Sequence, residues 1–415
     1  MEHTSPVIHD SLARENFGDA YGAALQSMRS AFEAAVRDAG GDPERPQDLA
    51  RTFSLNKNLT WKVSRLIGSD DPALALRFVP GAAGLRKVRE ALAGRVPAGT
   101  LSDLDASLKR FDRMVAVHAG DRGSLELLVQ GDACDRVDPE AHEQARRQAF
   151  QGNSAIWGVQ ARVQHSVQIL APNADLPDQV DVCTLGGLHG FRRMRAETTW
   201  LLFSSEQYEV GDGARHVPRG EPLRGGEGPQ ALLLPDHCSE PTPKLEVSER
   251  DRSRRVELPP GPIGNLGQMT VCFGVVDRQA GDRVADRADD PRERAEVGVN
   301  LLTPCELLQL DVLLHDDLRW NLQPRIELFG RIEGRANLAD REREGRRIPF
   351  GEPLIQLGRG AACTASAAVP RNVELIEQAL NGFGWDASRF RAWRFTLPFP
   401  PIPATASFVI PLASS

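Results

Sequence analysis

The sequence predicts an α+β chain, with an all-helical N-terminal domain over residues 1–150 and a mainly antiparallel, β-rich region over residues 151–415. Three observations predict it. Apolar residues up to about residue 150 recur at three- and four-residue spacing, as one face of a helix requires. From Ser154 onward they alternate at a spacing of two, as a strand requires. A length of 415 residues exceeds what one hydrophobic core ordinarily organises.

Taken in order, Phe17, Tyr21, Ala24, Leu25, Met28, Phe32 and Ala35 form one apolar stripe, and Gly40-Gly41 ends that helix. Pro46 suits the first turn of the next helix. Helices are expected around 82–93, 102–117 (Leu104, Leu108, Phe111 and Val115 inward) and 122–130, and Asp138-Pro139 opens a polar one. The first strand reads as half-buried. Val159, Ala161, Val163, His165, Val167 and Ile169 alternate with Gln160, Arg162, Gln164, Ser166 and Gln168. Further strands are expected at 179–184, 198–204, 244–248, 254–258, 269–277, 296–302, 307–315, 325–332, 390–397 and 406–411, and a late helix at 372–381. Residues 210–228 and 277–296 read as surface loops. Pro259–Gly264 and Pro398–Pro403 read as turns or extended segments.

Composition narrows the function. A net charge of −7 rules out a polycation that coats nucleic acid, so any DNA contact must come from a local patch. Only five residues are lysine, and two of them fall within Asn56–Lys62. The six cysteines are far apart and lack CxxC or Cys/His ligand spacing, which points to buried free thiols and a cytoplasmic setting. No apolar run is long enough to span a membrane, so no membrane partner is expected. No phosphate loop, nucleophile elbow, HExxH or dinucleotide fingerprint occurs, and neither a catalytic residue, a metal nor a cofactor is assigned.

The richest segment is Pro46–Ile67, PQDLARTFSLNKNLTWKVSRLI. It reads as two short helices joined by a tight turn. Ala50, flanked by Leu49 and Phe53, is small where the second helix must cross the first. Leu55 points inward from the turn, and Asn56 can cap the second helix. Leu59, Val63, Leu66 and Ile67 share the packing face. Lys57, Asn58, Trp61, Lys62 and Arg65 share the other face. No acid occurs from Leu49 to Ser69, and Arg51 adds a fourth positive charge. Lysine and arginine near phosphates supply affinity by counterion release, and Asn58 lies where base edges are usually read.

On Leu49-Ala50, Phe53, Leu55 and Val63 these 22 residues resemble the helix–turn–helix superfamily of bacterial DNA-binding regulators. The resemblance implies a DNA-binding transcriptional regulator that contacts double-stranded DNA through Arg51, Asn56, Lys57, Asn58, Trp61, Lys62 and Arg65. It implies a homo-oligomer, since one short helix reads only a few base pairs. Ser54 stands where such turns carry glycine, Thr60 where a buried aliphatic residue is usual, and Trp61 where a polar residue is usual. The β-rich region is then expected to sense a small-molecule effector or to drive assembly. The alternative is a non-enzymatic structural or assembly protein in which the two helices only pack.

Weaker signals are read mainly as structural. His189 stands in the Gly-rich stretch 186–191, expected to be a turn. His315-Asp316-Asp317 is expected to be a solvated strand end, and His165 a satisfied core or interface histidine. Asp236-His237-Cys238 lies in a Pro-rich loop, and adjacent residues usually point apart. An enzyme would require His189, His237, His315 and nearby acids to converge.

Overall fold

The structure, a computed structural model, describes residues 16–132, 139–206, 208–210, 214–216, 220–250, 253–282, 294–318, 320, 323–330 and 344–411. The chain divides into two compact units, 1–137 and 138–415. The fold is mixed α+β, with helices first and a β-rich region after.

The first unit is helical throughout its described residues. Helix α1 (Phe17–Asp38) is capped by Asn16, whose Oδ1 accepts from the Gly18 amide at 3.1 Å. Its stripe of Tyr21, Leu25, Met28, Phe32 and Val36 is buried. Gly40 takes a positive φ of 77°, and the Gly41 amide returns to Val36 O at 2.8 Å, closing the helix. A Cβ on Gly41 would lie 2.6 Å from Leu49 Cδ2, so the chain passes too close to the next helix for any side chain. There follow α2 (Pro46–Thr52), α3 (Lys57–Gly68), α4 (Pro72–Leu76), α5 (Ala82–Leu92), α6 (Ala98–His118) and α7 (Arg122–Asp132). One core joins them, with Phe32, Phe53, Leu66, Leu92, Leu104 and Phe111 at its centre.

The second unit opens with α8 (Pro139–Trp157). The expected boundary near 150 therefore falls inside a helix. That helix packs on the following sheet, where Arg146 pairs with Glu352 and donates to Pro398 O at 3.0 Å. The strands are β1 (Val159–Pro172), β2 (Gln179–Arg193), β3 (Trp200–Glu206), β4 (Tyr208–Val210), β5 (Ala214–His216), β6 (Glu221–Pro222), β7 (Glu246–Arg250), β8 (Ser253–Leu258), β9 (Met269–Asp282), β10 (Arg294–Leu301), β11 (Cys305–His315), β12 (Arg325–Gly330), β13 (Leu354–Arg359), β14 (Phe390–Pro398) and β15 (Ala404–Pro411). Helix α9 (Asn372–Gly382) lies between β13 and β14 in sequence.

Seven strands form the central sheet in the order β13-β14-β11-β1-β2-β9-β6. Every pairing in it is antiparallel except β1 with β11. One face packs on the sheet β10-β15-β12 through Leu308, Leu310, Val312, Phe395, Ala406 and Phe408. The other face carries α9 over Val167, Ile169, Leu185, Leu313 and Ala392. A third core, with Phe191, Leu232, Val256 and Val271, borders the sheet β3-β8-β7.

Strand β1 corrects the sequence reading. It is central and covered on both sides, so Gln160, Gln164, Ser166 and Gln168 are buried rather than solvated. Hydrogen bonds make this tolerable: Gln164 Nε2 donates to Asn300 O at 2.9 Å and Thr184 Oγ1 to Gln168 Oε1 at 2.8 Å. The stretch 186–191 is also not a turn. It is the interior of β2, and its glycines allow close approach. A Cβ on Gly186 would sit 2.2 Å from the Phe273 ring. The expected loops are partly strands. β4 and β5 form a hairpin, β6 joins the central sheet, and β9 runs on to Asp282. Residues 283–293, inside the second expected loop, lie outside the described residues, as does Cys134. Strand β13 was not expected from the sequence. Gly358, with a positive φ, and a register shift between Gln356 and Gly358 break its alternation.

Candidate nucleic-acid interface

Helices α2 and α3 are joined by Phe53-Ser54-Leu55-Asn56. Ser54 is left-handed with φ of 55°, and the Leu55 amide donates to Ala50 O at 3.0 Å. This conformation is the one glycine adopts without strain, and a serine there costs on the order of 1 kcal/mol. Asn56 caps α3 by accepting from the Asn58 amide at 2.8 Å. Thr60 fills its buried site by donating its hydroxyl to Lys57 O at 3.1 Å, which removes the penalty of a bare buried oxygen. Val63 and Leu66 are buried beside it, with Leu59 and Ile67 packed at the edge of the core.

The opposite face of α3 is open. Lys57, Asn58, Trp61 and Arg65 are exposed, as are Arg51 and Asn56, while Lys62 is half-buried. Two of these residues already have partners within the unit. Arg51 pairs with Asp48 at 3.2 Å, just outside the acid-free window, and the Asn56 oxygen serves the cap. Trp61 is 41% exposed, with its ring 5.5 Å from Phe78 in a T-shaped contact. Arg65 lies 5.8 Å from the same ring. The indole therefore braces the helix flank as well as facing solvent. Among the described residues, Lys57, Lys62 and Arg65 have no ion-pair partner, whereas Arg29, Arg37, Arg45, Arg89 and Arg122 of the same unit are each paired with a carboxylate. Arg86, Lys87, Lys109, Arg110 and Arg113 likewise have no ion pair among the described residues; Lys57, Lys62 and Arg65 stand apart in sharing one helix within a stretch free of acids.

The second unit gathers a cluster that spacing alone does not disclose. His165 on β1 and His189 on β2 lie with ring centroids 5.6 Å apart. Cys272 Sγ on β9 is 3.9 Å from His189 Nε2. His237 Nε2 lies 3.0 Å from Gln378 Oε1 on α9. Burial holds the His165 imidazole down to about 3, helped by the Arg394 guanidinium. Burial, then His165 and Arg162, does the same for His189. Burial also pushes the Cys272 thiol up. The Cys272–His189 contact is thus a neutral thiol beside a neutral imidazole, the reverse of an activated thiolate pair. His315 belongs elsewhere. It packs against Phe390 at 5.0 Å and near Asp317, where Asp316 and Asp317 pair with Arg359, Arg389 and Arg391. The expected solvated strand end is an ion-pair network. The alternation of β1 did place His165 on the apolar side, but only the register with β2 brings His189 to it.

No protein-family model matches the chain, and no curated protein does either. Among solved structures, the chain has a likeness to a protein of Parabacteroides distasonis ATCC 8503 described as a "putative protease". The identity is 5% and the TM-score 0.25, over 61% of this chain and 40% of that one. A TM-score this low carries no argument about fold or activity. No helix among the described residues is long and apolar enough to cross a membrane.

Two outcomes follow for stability. Ser54→Gly raises the stability of the first unit by about 0.5–1 kcal/mol, and Asn56→Ala lowers it by about 1 kcal/mol. Urea unfolding followed by circular dichroism reads both, and a destabilising Ser54→Gly contradicts the left-handed turn. The unfolded chain protonates His165 and His189 near pH 6.5, while the fold holds both to about 3. Their contribution is complete above pH 6.5 and is lost as pH falls from there toward 3, by up to about 1.4 kcal/mol per pH unit and histidine. His165→Leu should flatten this dependence between pH 6 and pH 4 when unfolding midpoints are compared with those of the unaltered chain.

Proposed function

We propose that this chain is a DNA-binding regulator in which α2, its turn and α3 form a helix–turn–helix. The β-rich unit then serves effector sensing or assembly. One observation carries the reading. Lys57, Lys62 and Arg65 lack ion-pair partners among the described residues, on the side of α3 away from buried Val63 and Leu66, in a stretch without acids. An acidic protein that leaves these cations unpaired has a surface suited to a polyanion. Asn58 in the first turn of α3 is placed to reach a base edge, and Arg65 and Lys57 to meet the phosphates on either side. DNA recognition by so short a helix requires two copies.

A second reading, a non-enzymatic assembly protein, is favoured by exposed apolar residues of the second unit: Ile156, Trp157, Met194, Ile263 and Leu266.

Fluorescence anisotropy with a random-sequence duplex at two salt concentrations tests the first reading. Binding should weaken steeply with salt. Replacing Lys57, Lys62 and Arg65 together by Ala should reduce affinity at least about tenfold and lower the salt slope by about 2–3. Affinity unchanged by the triple replacement sinks it. Light scattering after size exclusion tests the second: a large closed assembly without DNA affinity supports it, and a monomer or dimer that binds DNA removes it.

A further inference from the structure

Exposed apolar side chains of the second unit gather in one place. Ile156 and Trp157 close α8, Met194 follows β2, and Ile263 and Leu266 lie between β8 and β9. Backbone contacts join the three segments. The Met194 amide donates to Gly158 O at 2.8 Å, Arg193 forms a parallel bridge with Ile263, and the Gly261 amide donates to Ala196 O at 3.0 Å. All five side chains are exposed, and Leu266, in the short 3-10 turn Gly264–Gly267, is 96% exposed.

Positive charge lies among them. Arg193 is buried, yet among the described residues its guanidinium meets only neutral groups. It donates to Thr198 O at 3.0 Å and to Pro259 O, and lies 5.1 Å from the Phe191 ring. A Cβ on Gly261 would lie 3.3 Å from Arg193 Nη1, so the guanidinium sits against the segment that leads to Ile263. Arg192 donates to Asn265 Oδ1 at 3.3 Å and Arg195 to Ile156 O at 2.8 Å, and neither has an ion-pair partner among the described residues. Residues 152–161, 190–199 and 259–270 hold these three arginines against one acid, Glu197. Glu240 borders the patch on the β9 side, next to Ser239, whose amide donates to Thr270 O at 2.9 Å. A buried cation without a counterion favours an anion at the surface above it.

We propose that this patch docks the second unit on an anionic phospholipid surface. Leu266, Ile263 and Ile156 enter the acyl boundary, Trp157 lies at headgroup depth, and Arg192 and Arg195 meet headgroup phosphates. Such a contact needs no spanning helix. Charge and shape select this occupant. A second copy placed on a two-fold would bring the same arginines face to face. A bound peptide needs a groove or a sheet edge, whereas side chains that protrude from three separate segments suit a fluid apolar layer. The inference goes beyond the DNA-binding reading and does not rest on it.

The test is co-sedimentation of the full chain with vesicles of phosphatidylcholine alone, and of phosphatidylcholine mixed equally with phosphatidylglycerol. Binding should be at least about tenfold stronger to the anionic vesicles and should weaken with added salt. Leu266→Ser should weaken it about tenfold and Arg195→Gln about fivefold. Leu176→Ser, an equally simple loss of an exposed leucine at the other end of the β1–β2 hairpin, should bind as the unaltered chain does. Equal binding to both vesicle types, binding to neither, or an equal loss in Leu176→Ser each overturn the lipid surface. Binding that Leu266→Ser keeps, but that is lost when Lys57, Lys62 and Arg65 are replaced by Ala, belongs to α3 and overturns it too. Self-association seen by light scattering without vesicle binding, and lost in Leu266→Ser, gives the patch to a second copy and overturns it as well. DNA affinity is measured separately, and none of these outcomes decides it.

Discussion

The carboxylate of Asp311, fully buried in β11, is the constraint on which the second unit is organised. It accepts two bonds from Arg394 on β14, at 2.7 and 2.8 Å, one from Asn372 on α9 at 2.8 Å, and one from Gln309 at 3.2 Å. A buried charge is tolerated only when it is paired and its lone pairs are filled, and removing one partner costs about 3–5 kcal/mol. That requirement fixes β14 against β11 and α9 against the sheet. Arg394 and Asn372 also reach Thr364 O, at 2.6 and 2.7 Å, which ties down the turn before α9. The histidine cluster lies on this same face, and the Arg394 guanidinium adds to the field that keeps His165 neutral.

The same economy runs through β1. Parallel pairing with β11 puts it in the middle of seven strands, where its residues from Val159 to Ala171 are buried except Arg162. Gln164 and Gln168 survive there because each finds a partner across the sheet or on the covering one. Gln164 reaches Asn300 on β10, so a polar side chain links the two sheets that an apolar core also holds together. Glycines in β2 serve the complementary need: they leave room for the Phe273 ring on one side and for Cys272 and His189 on the other.

The first unit distributes charge differently. Arg29, Arg37, Arg45, Arg51, Arg89 and Arg122 are engaged in ion pairs that are largely exposed and contribute little individually. Lys57, Lys62 and Arg65 have no ion-pair partner among the described residues, and they lie together on one helix in a stretch without acids. Trp61 supports this surface from the side, packed on Phe78, and gives Arg65 an aromatic ring to lie over.

How much of this was legible in sequence depends on distance along the chain. Local features were: the stripe of α1, the Gly40 stop, the Asn56 cap, the left-handed Ser54 and the acid-free face all arise from residues within a turn or two of each other. Most strands were visible for the same reason, since alternation is a local property. Strand β13 was not, because Gly358 and the accompanying register shift break its alternation. Only the tertiary structure decided that β1 is buried on both faces, since period two shows which residues share a face and not what covers it. Likewise the meeting of His165, His189 and Cys272, and of Leu59 with Gly84, depends on strand register and on one helix contact. Those are set by packing between segments far apart in sequence, whose side chains carry no mark of one another until the chain has folded.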